Sequence, residues 1–294
     1  MNPYDMAPGL YVDPDSRAWR WVNSQPVTPD RWLIKSQIAM KPMAKWIGPG
    51  DPSWVGGYLS DAARQQLLPV LVAYAIPFRD VGQHSAGGLG SVEAYMQWAT
   101  KLAKVIGPKP CVVILEPDTL IHMPALTEAR RADRCAMLSH AVHTLTRHAP
   151  NTYVYLDGGD GGWTSPVVLA PWLARSGVAG ARGVAVNVSN FNTTDTCVRH
   201  AEGIKAELKR FGLDDVGYVI DTSRNGNGPD AAGTWCNPPR RKLGQTPLIR
   251  PGSGADAHLW IKHPGESDGN CGVGVGTQSG QFVPDLALRL IAGR

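Results

Sequence analysis

Cys111-Val112-Val113-Ile114-Leu115-Glu116-Pro117-Asp118 is the stretch whose reading decides the fold. Its apolar run, unbroken from Cys111 to Leu115 and rich in β-branched side chains, reads as a strand buried on both faces. Pro117 has no N–H to give a sheet ladder, so the strand stops there. Asp118 is left at the carboxyl end of a buried strand, where parallel α/β folds bind ligands and mount reacting groups.

Outward from that run the chain alternates apolar strands with helical patterns. The patterning predicts further strands over 34–39, 67–76, 153–156, 183–188, 217–220 and 258–261. Helices are predicted over 53–66, from the Ser91 cap to Gly107-Pro108, from Thr127 to just before Pro150, from Ser165-Pro166 to Gly177, over 195–211 and over 284–291. The opening segment to about Arg31 is expected to wrap the surface, and a long loop is expected over 221–256. About seven buried strands, most followed by a helix, give a doubly wound sheet or a barrel. Gly272-Val273-Gly274-Val275-Gly276 neither follows a strand nor opens a helix, so it is a loop and not a phosphate cradle. The barrel is the better reading, with 1–294 as one catalytic domain.

Composition excludes several classes. The chain has 294 residues, 43% hydrophobic and 18% charged, which is ordinary for a globular protein. Its net charge of +4 is spread along the sequence, with short clusters such as Arg240-Arg241-Lys242, so no nucleic-acid or membrane footprint is read. No stretch approaches the roughly 18 apolar residues of a membrane span. Residues 1–20 lack a basic start followed by an apolar core, so no signal peptide is read there. Ten Trp beside four Phe is a Trp-rich aromatic set, and flat indoles with a polar edge suit sugar rings as well as cores. Five Cys leave at least one thiol unpaired. Cys236 and Cys271 lie in Gly/Pro-rich loops and could pair, whereas Cys111, Cys135 and Cys197 read as free. There is no C-x-x-C, hence no zinc or redox motif. His140 and His143 sit one helical turn apart without a third ligand and read as a solvated helix face.

Several strands end in acids: Asp80 after 71–76, Glu116 and Asp118, Asp157, Asp221, and Glu266 and Asp268 after Trp260-Ile261-Lys262. Adjacent parallel strands lie about 4.8 Å apart, so these groups should crowd one mouth. Two close carboxyls cannot both ionise cheaply, and the one that keeps its proton can serve as a general acid. Taken singly, each could instead be a helix cap or an ion-pair partner of Arg79, Lys262 or Arg224. Grouped carboxylates with Trp and no metal motif point to glycoside hydrolysis. No G-x-S-x-G elbow follows a strand, which excludes a serine hydrolase of that type.

Taken together, these residues resemble glycoside hydrolase family 6, the inverting cellulases. The matching pieces are Tyr74-Ala75-Ile76-Pro77-Phe78-Arg79-Asp80, Ile114-Leu115-Glu116-Pro117-Asp118 and Tyr155-Leu156-Asp157-Gly158-Gly159. Asn187-Val188-Ser189-Asn190-Phe191, Asp221-Thr222-Ser223-Arg224-Asn225-Gly226, Trp235-Cys236-Asn237-Pro238 and Trp260-Ile261-Lys262-His263-Pro264-Gly265-Glu266-Ser267-Asp268-Gly269 follow in the family's order. The resemblance implies a distorted, incompletely closed parallel β/α barrel of about seven strands with an open cleft. It implies Asp118 as general acid, Asp80 as the neighbouring carboxylate that holds the acid's proton and helps activate water, and Asp268 as the base. Tyr74 would press on the sugar at the cleavage point, and Ser85 would position the attacking water. Trp46, Trp163 and Trp235 would stack on sugars, while Ser189, Asn190, Lys262 and Glu266 would bond glucosyl hydroxyls. Cys236 and Cys271 match a family disulfide.

The sequence also departs from the pattern. Val81 stands where a Cys is common, and its usual partner is absent around 123–126, so the loop after Asp80 loses a staple. Ala75 replaces an Asn or small residue, and Asp160 replaces a common His, which puts binding at that subsite in question. The activity implied is an endo-β-1,4-glucanase acting on cellulose and cello-oligosaccharides, without a cofactor, as a secreted monomer. A cellobiohydrolase of the same family needs longer loops over the cleft than 81–90 and 221–256 supply. A non-catalytic glucan-binding protein and a nucleotide-dependent α/β enzyme are the readings from other classes.

Overall fold

In the computed structural model, which describes Tyr4 and residues 7–79 and 86–294, the decisive stretch is a strand (Cys111–Leu115) with every residue buried. It is β3 of a sheet whose first two strands are β1 (Lys45–Ile47) and β2 (Val70–Ala73). β4 (Thr152–Asp157), β5 (Gly183–Val186), β6 (Gly217–Asp221), β7 (Leu248–Ile249) and β8 (Ala257–Leu259) complete it. The spatial order is β1-β2-β3-β4-β5-β6-β8-β7. All neighbours are parallel except β7, a two-residue strand antiparallel to β8 within the expected long loop. Seven parallel strands in chain order curl into the open barrel the sequence predicts.

Period-two alternation explains the continuous apolar runs. Val112 and Ile114 point inward with Val70, Val72, Tyr155, Val219 and Leu259, and Tyr4 is buried among them. Cys111, Val113 and Leu115 point outward, with Leu71, Leu156, Val184 and Ile220, onto a layer of helices. That layer includes α3 (Val55–Arg64), α4 (Val92–Ile106), α5 (Glu128–His148), α6 (Pro166–Arg175) and α7 (Thr194–Lys209). Ser91 and Thr127 cap α4 and α5 as expected, each hydroxyl accepting an N–H three residues on.

β1 and β8 share no ladder, so the barrel is open between them. The gap is stitched by the Ala44 N–H donating to Trp260 O at 3.0 Å and the Trp46 Nε1–H donating to Ile261 O at 2.8 Å. α1 (Arg17–Ser24), α2 (Pro29–Ile34) and α8 (Pro284–Ala292) pack beside this seam around the buried Trp260.

Three expectations are corrected. Residues 34–39 are not a strand: Ile34 closes α2 and Lys35–Ala39 forms a π-helical turn. Ile34 and Ile38 are spaced for one helix face, and both pack against α1 and Trp260. The first strand is instead β1, too short to show periodicity. The opening segment does more than wrap the surface, since Ser16 caps α1, whose Ala18 and Val22 are buried. His140 is also not solvated: it is half-buried, with Nε2 3.1 Å from Thr100 Oγ1 and 3.1 Å from Met96 O on α4.

Candidate active site

The strand-end carboxylates divide into two kinds. Glu116, Asp157 and Asp221 are buried and clamp backbone. Glu116 accepts the Ala75 N–H at 3.0 Å and the Ile76 N–H at 3.1 Å, fixing the chain as it leaves β2. Burial pushes its carboxyl up to about 7, against those two N–H bonds. Asp221 accepts N–H bonds from Ser189, Ser223, Ile261 and Lys262, joining the exits of β5, β6 and β8. Asp157 accepts the N–H of Asp118 at 3.0 Å and that of Gly159 at 3.4 Å. Burial first, and then the Asp118 charge beside it, raise the Asp157 carboxyl well above the usual carboxylate range.

These clamps hold strained backbone. Glu116 and Asp118 have φ of 50° and 67°, and Asn187 and Ser189, past β5, have 66° and 61°. Left-handed conformations at non-glycine residues cost on the order of 1–3 kcal/mol each and collect where side chains must be aimed. Gly88, at φ 102°, is needed for another reason: a Cβ there would collide with the Ile76 carbonyl, and Leu89 N–H donates to Ala75 O at 2.9 Å. The segment returning from residue 86 thus packs on the exit of β2.

The second kind of carboxylate lines a cleft of about 780 Å³ at the carboxyl ends of the strands. Asp118 is partly exposed there, and Glu266 and Asp268 are largely buried in its wall. Trp46, Tyr74, Trp163, Ser189, Asn190, Trp235 and Lys262 line the same cleft, so every described candidate from the sequence comes together there. Asp80, Ser85 and Val81 lie outside the described residues.

Each aromatic is held from behind. Tyr74 meets Trp46 edge-on at 5.1 Å, and the Arg79 guanidinium lies 4.3 Å over its ring. Trp163 meets His122 edge-on at 5.2 Å. Asp160 Oδ1 accepts the N–H groups of Gly162 and Trp163 at 2.8 and 3.1 Å, so the residue that departs from the family pattern shapes the turn carrying Trp163. Trp235 precedes Cys236, which is bonded to Cys271.

Asp268 sits in a cationic nest. Arg224 Nη1 donates to both its oxygens at 3.0 and 2.9 Å, Lys262 Nζ lies 3.0 Å away, and Asn237 N–H donates at 3.0 Å. Burial alone would raise this carboxyl, but Arg224 and Lys262 hold it at about 2. Glu266 pairs with Arg17 Nη1 at 3.2 Å and with His263 Nδ1 at 2.9 Å.

Sequence reasoning missed Arg134. It is buried on α5, donating to Thr119 O at 2.7 Å and Phe78 O at 2.9 Å. It thereby links the residue after Asp118 to the loop leading to Asp80. His122 and Arg17 also line the cleft, and neither lies at a strand end that would mark it in the sequence. Among the described residues no cluster of His, Cys, Asp and Glu suits a metal ion, and no helix is long and apolar enough to cross a membrane.

This arrangement, an acid on a buried strand's end in an aromatic-lined cleft, agrees with the comparison to known families. The model for glycosyl hydrolases family 6 matches residues 9–292. The chain belongs to glycosyl hydrolases family 6. Endoglucanase 1 of Streptomyces halstedii is 44% identical over 99% of the chain and 91% of that protein. Endoglucanase 1 of Streptomyces sp. (strain KSM-9) is 40% identical over 93% of the chain and 75% of that protein. The structure of the endoglucanase Cel6 from Mycobacterium tuberculosis, in complex with methyl-cellobiosyl-4-deoxy-4-thio-β-D-cellobioside, superposes with a TM-score of 0.90. It is 38% identical, and the match covers 100% of this chain and 99% of that one. The family 6 fold and the curled, open parallel sheet are thus the same observation reached twice.

Proposed function

We propose that this family 6 hydrolase is an endo-acting β-1,4-glucanase that cleaves cellulose and cello-oligosaccharides with inversion, as a single catalytic domain, monomeric and secreted. The observation that carries the reading is Asp118, its backbone held by Asp157, on the wall of a cleft in which Trp163 and Trp235 keep 61% and 50% exposure. Platforms that open stack on a chain entering from the side, as an internal cut requires.

Asp118 protonates the leaving glycosidic oxygen. Water attacks the opposite face of the sugar, and an inverting site leaves roughly 6.5–9.5 Å between the acid and base for it. Asp80 is assigned the role of holding the acid's proton and drawing on the water, with Ser85 orienting that water. A carboxyl held at about 2 is a weak proton acceptor, so Asp268 serves as base only with help from that second carboxylate. Its other task is to keep Arg224 and Lys262 neutralised and Lys262 aimed at sugar hydroxyls. Trp46, Trp163 and Trp235 stack on glucosyl rings, Tyr74 presses on the ring being cleaved, and Ser189, Asn190 and Glu266 accept or donate to hydroxyls.

Viscosity of carboxymethyl cellulose, followed against reducing ends released, tests the endo mode. An early viscosity drop for few ends is expected; a proportionate slow decline with cellobiose as sole product would contradict it.

A further inference from the structure

His263 occupies the seam where the barrel stays open. Its Nδ1 lies 2.9 Å from Glu266 Oε1, and its Nε2 bonds the Ala44 carbonyl. Ala44 immediately precedes β1, whose Trp46 stands in the cleft, while Glu266 stands in the cleft from the loop after β8. The imidazole therefore bridges two cleft walls that no strand ladder joins. Both of its partners are acceptors, and a neutral imidazole has only one N–H to offer. In the neutral form one ring nitrogen would turn a lone pair on a carbonyl or a carboxylate in a largely buried place. Only the imidazolium satisfies both contacts.

We infer that His263 is a positioning residue that, as an imidazolium, ties Glu266 to the β1 wall and so sets the substrate affinity of the cleft. This rests on the reading that Glu266 holds a glucosyl hydroxyl. The charged groups facing the ring are Glu266 and, more weakly, Lys262 on its own loop; Arg17 from α1 faces the other oxygen of Glu266. Ala44 brings a carbonyl and no charge. Burial and Lys262 oppose protonation, but the Glu266 charge and hydrogen bond, with the Ala44 bond, outweigh them and raise the ring above its ordinary value. The clamp is therefore present at acid pH and is lost as pH rises through that raised value.

Two measurements test this. Long-range 1H–15N NMR of the wild-type protein should find both His263 nitrogens protonated at pH 7; a single protonated nitrogen overturns the proposal whatever the activity. KM for a soluble cello-oligosaccharide should rise three- to ten-fold above the His263 titration with kcat little changed. The His263→Gln variant should show the high KM at every pH, with its thermal midpoint measured alongside. A wild-type KM that is flat across the titration, or a variant that keeps the wild-type KM and its pH step, overturns the proposal. If His263 is an imidazolium but Glu266→Gln leaves KM unchanged, the fault lies in the role given to Glu266, not in the protonation of the ring.

Discussion

The Asp157 carboxylate at the end of β4 accepts the backbone N–H of Asp118 past the end of β3, at 3.0 Å. This buried acid thereby fixes the peptide that carries Asp118 in its left-handed turn, and burial together with the Asp118 charge raises the Asp157 carboxyl in return. The aim of the Asp118 side chain rests on that contact.

Asp118→Asn should lower kcat on cello-oligosaccharides by about 10²- to 10⁴-fold, the range for losing a general acid. KM should stay within a few-fold. An aryl cellobioside with an acidic phenol, which leaves without protonation, should recover much of the rate. Retention of activity on the unactivated substrate would remove Asp118 from this role.

Trp163→Ala and Trp235→Ala should each raise KM by about 2- to 10-fold, equivalent to roughly 0.5–1.5 kcal/mol of aromatic contact. The change in kcat should be smaller. His122→Ala should reproduce part of the Trp163 effect through loss of its edge contact. Steady-state kinetics on cellotetraose and cellohexaose checks this, and unchanged KM in both Trp variants would contradict the stacking role.

Much of this site was legible because the strand ends carry it. The 111–118 run gave a buried strand, its stop and an acid beyond it without ambiguity, since Pro117 and a two-faced apolar run allow little else. The sequence could not separate Asp118 from Glu116 and Asp221, because strand-end position is shared; burial and accepted backbone N–H bonds set those two apart from Asp118, while Asp268 shares both features and still lines the cleft. Arg134 was illegible because it shares α5 with Arg130 and Arg131, and nothing local marks which arginine reaches the Thr119 and Phe78 carbonyls beside the site. The helical turn at 34–39 was misread because apolar residues four apart in a short run also suit a strand, and its packing partner, Trp260, lies far along the chain.

Glu116→Gln should change the pH dependence of stability. With a folded value of about 7 against 4.5 ordinarily, the folded chain keeps a proton that the unfolded chain releases between those pH values. Wild-type stability from this group therefore falls as pH rises through that window, by at most about 3 kcal/mol. The Gln variant lacks that slope, so variant minus wild-type stability should grow from pH 4.5 to pH 7. Urea midpoints at half-unit pH steps check it; parallel curves would contradict it.

Breaking Cys236–Cys271, which are 35 residues apart, with a double Ser variant should cost on the order of 3–4 kcal/mol. It should also raise KM, because Trp235 and Asn237 flank the bridge and Asn237 bonds Asp268. Denaturant melts with kinetics on the same preparations check this, and a stable variant with wild-type KM would show the bridge to be idle.

The central claim is that Asp118 acts as acid while water arrives from the far face of the sugar. Proton NMR of the anomeric region during the first minutes of cello-oligosaccharide hydrolysis tests it most directly. New reducing ends should appear as the α-anomer and only later equilibrate; new ends that appear as the β-anomer would contradict inversion.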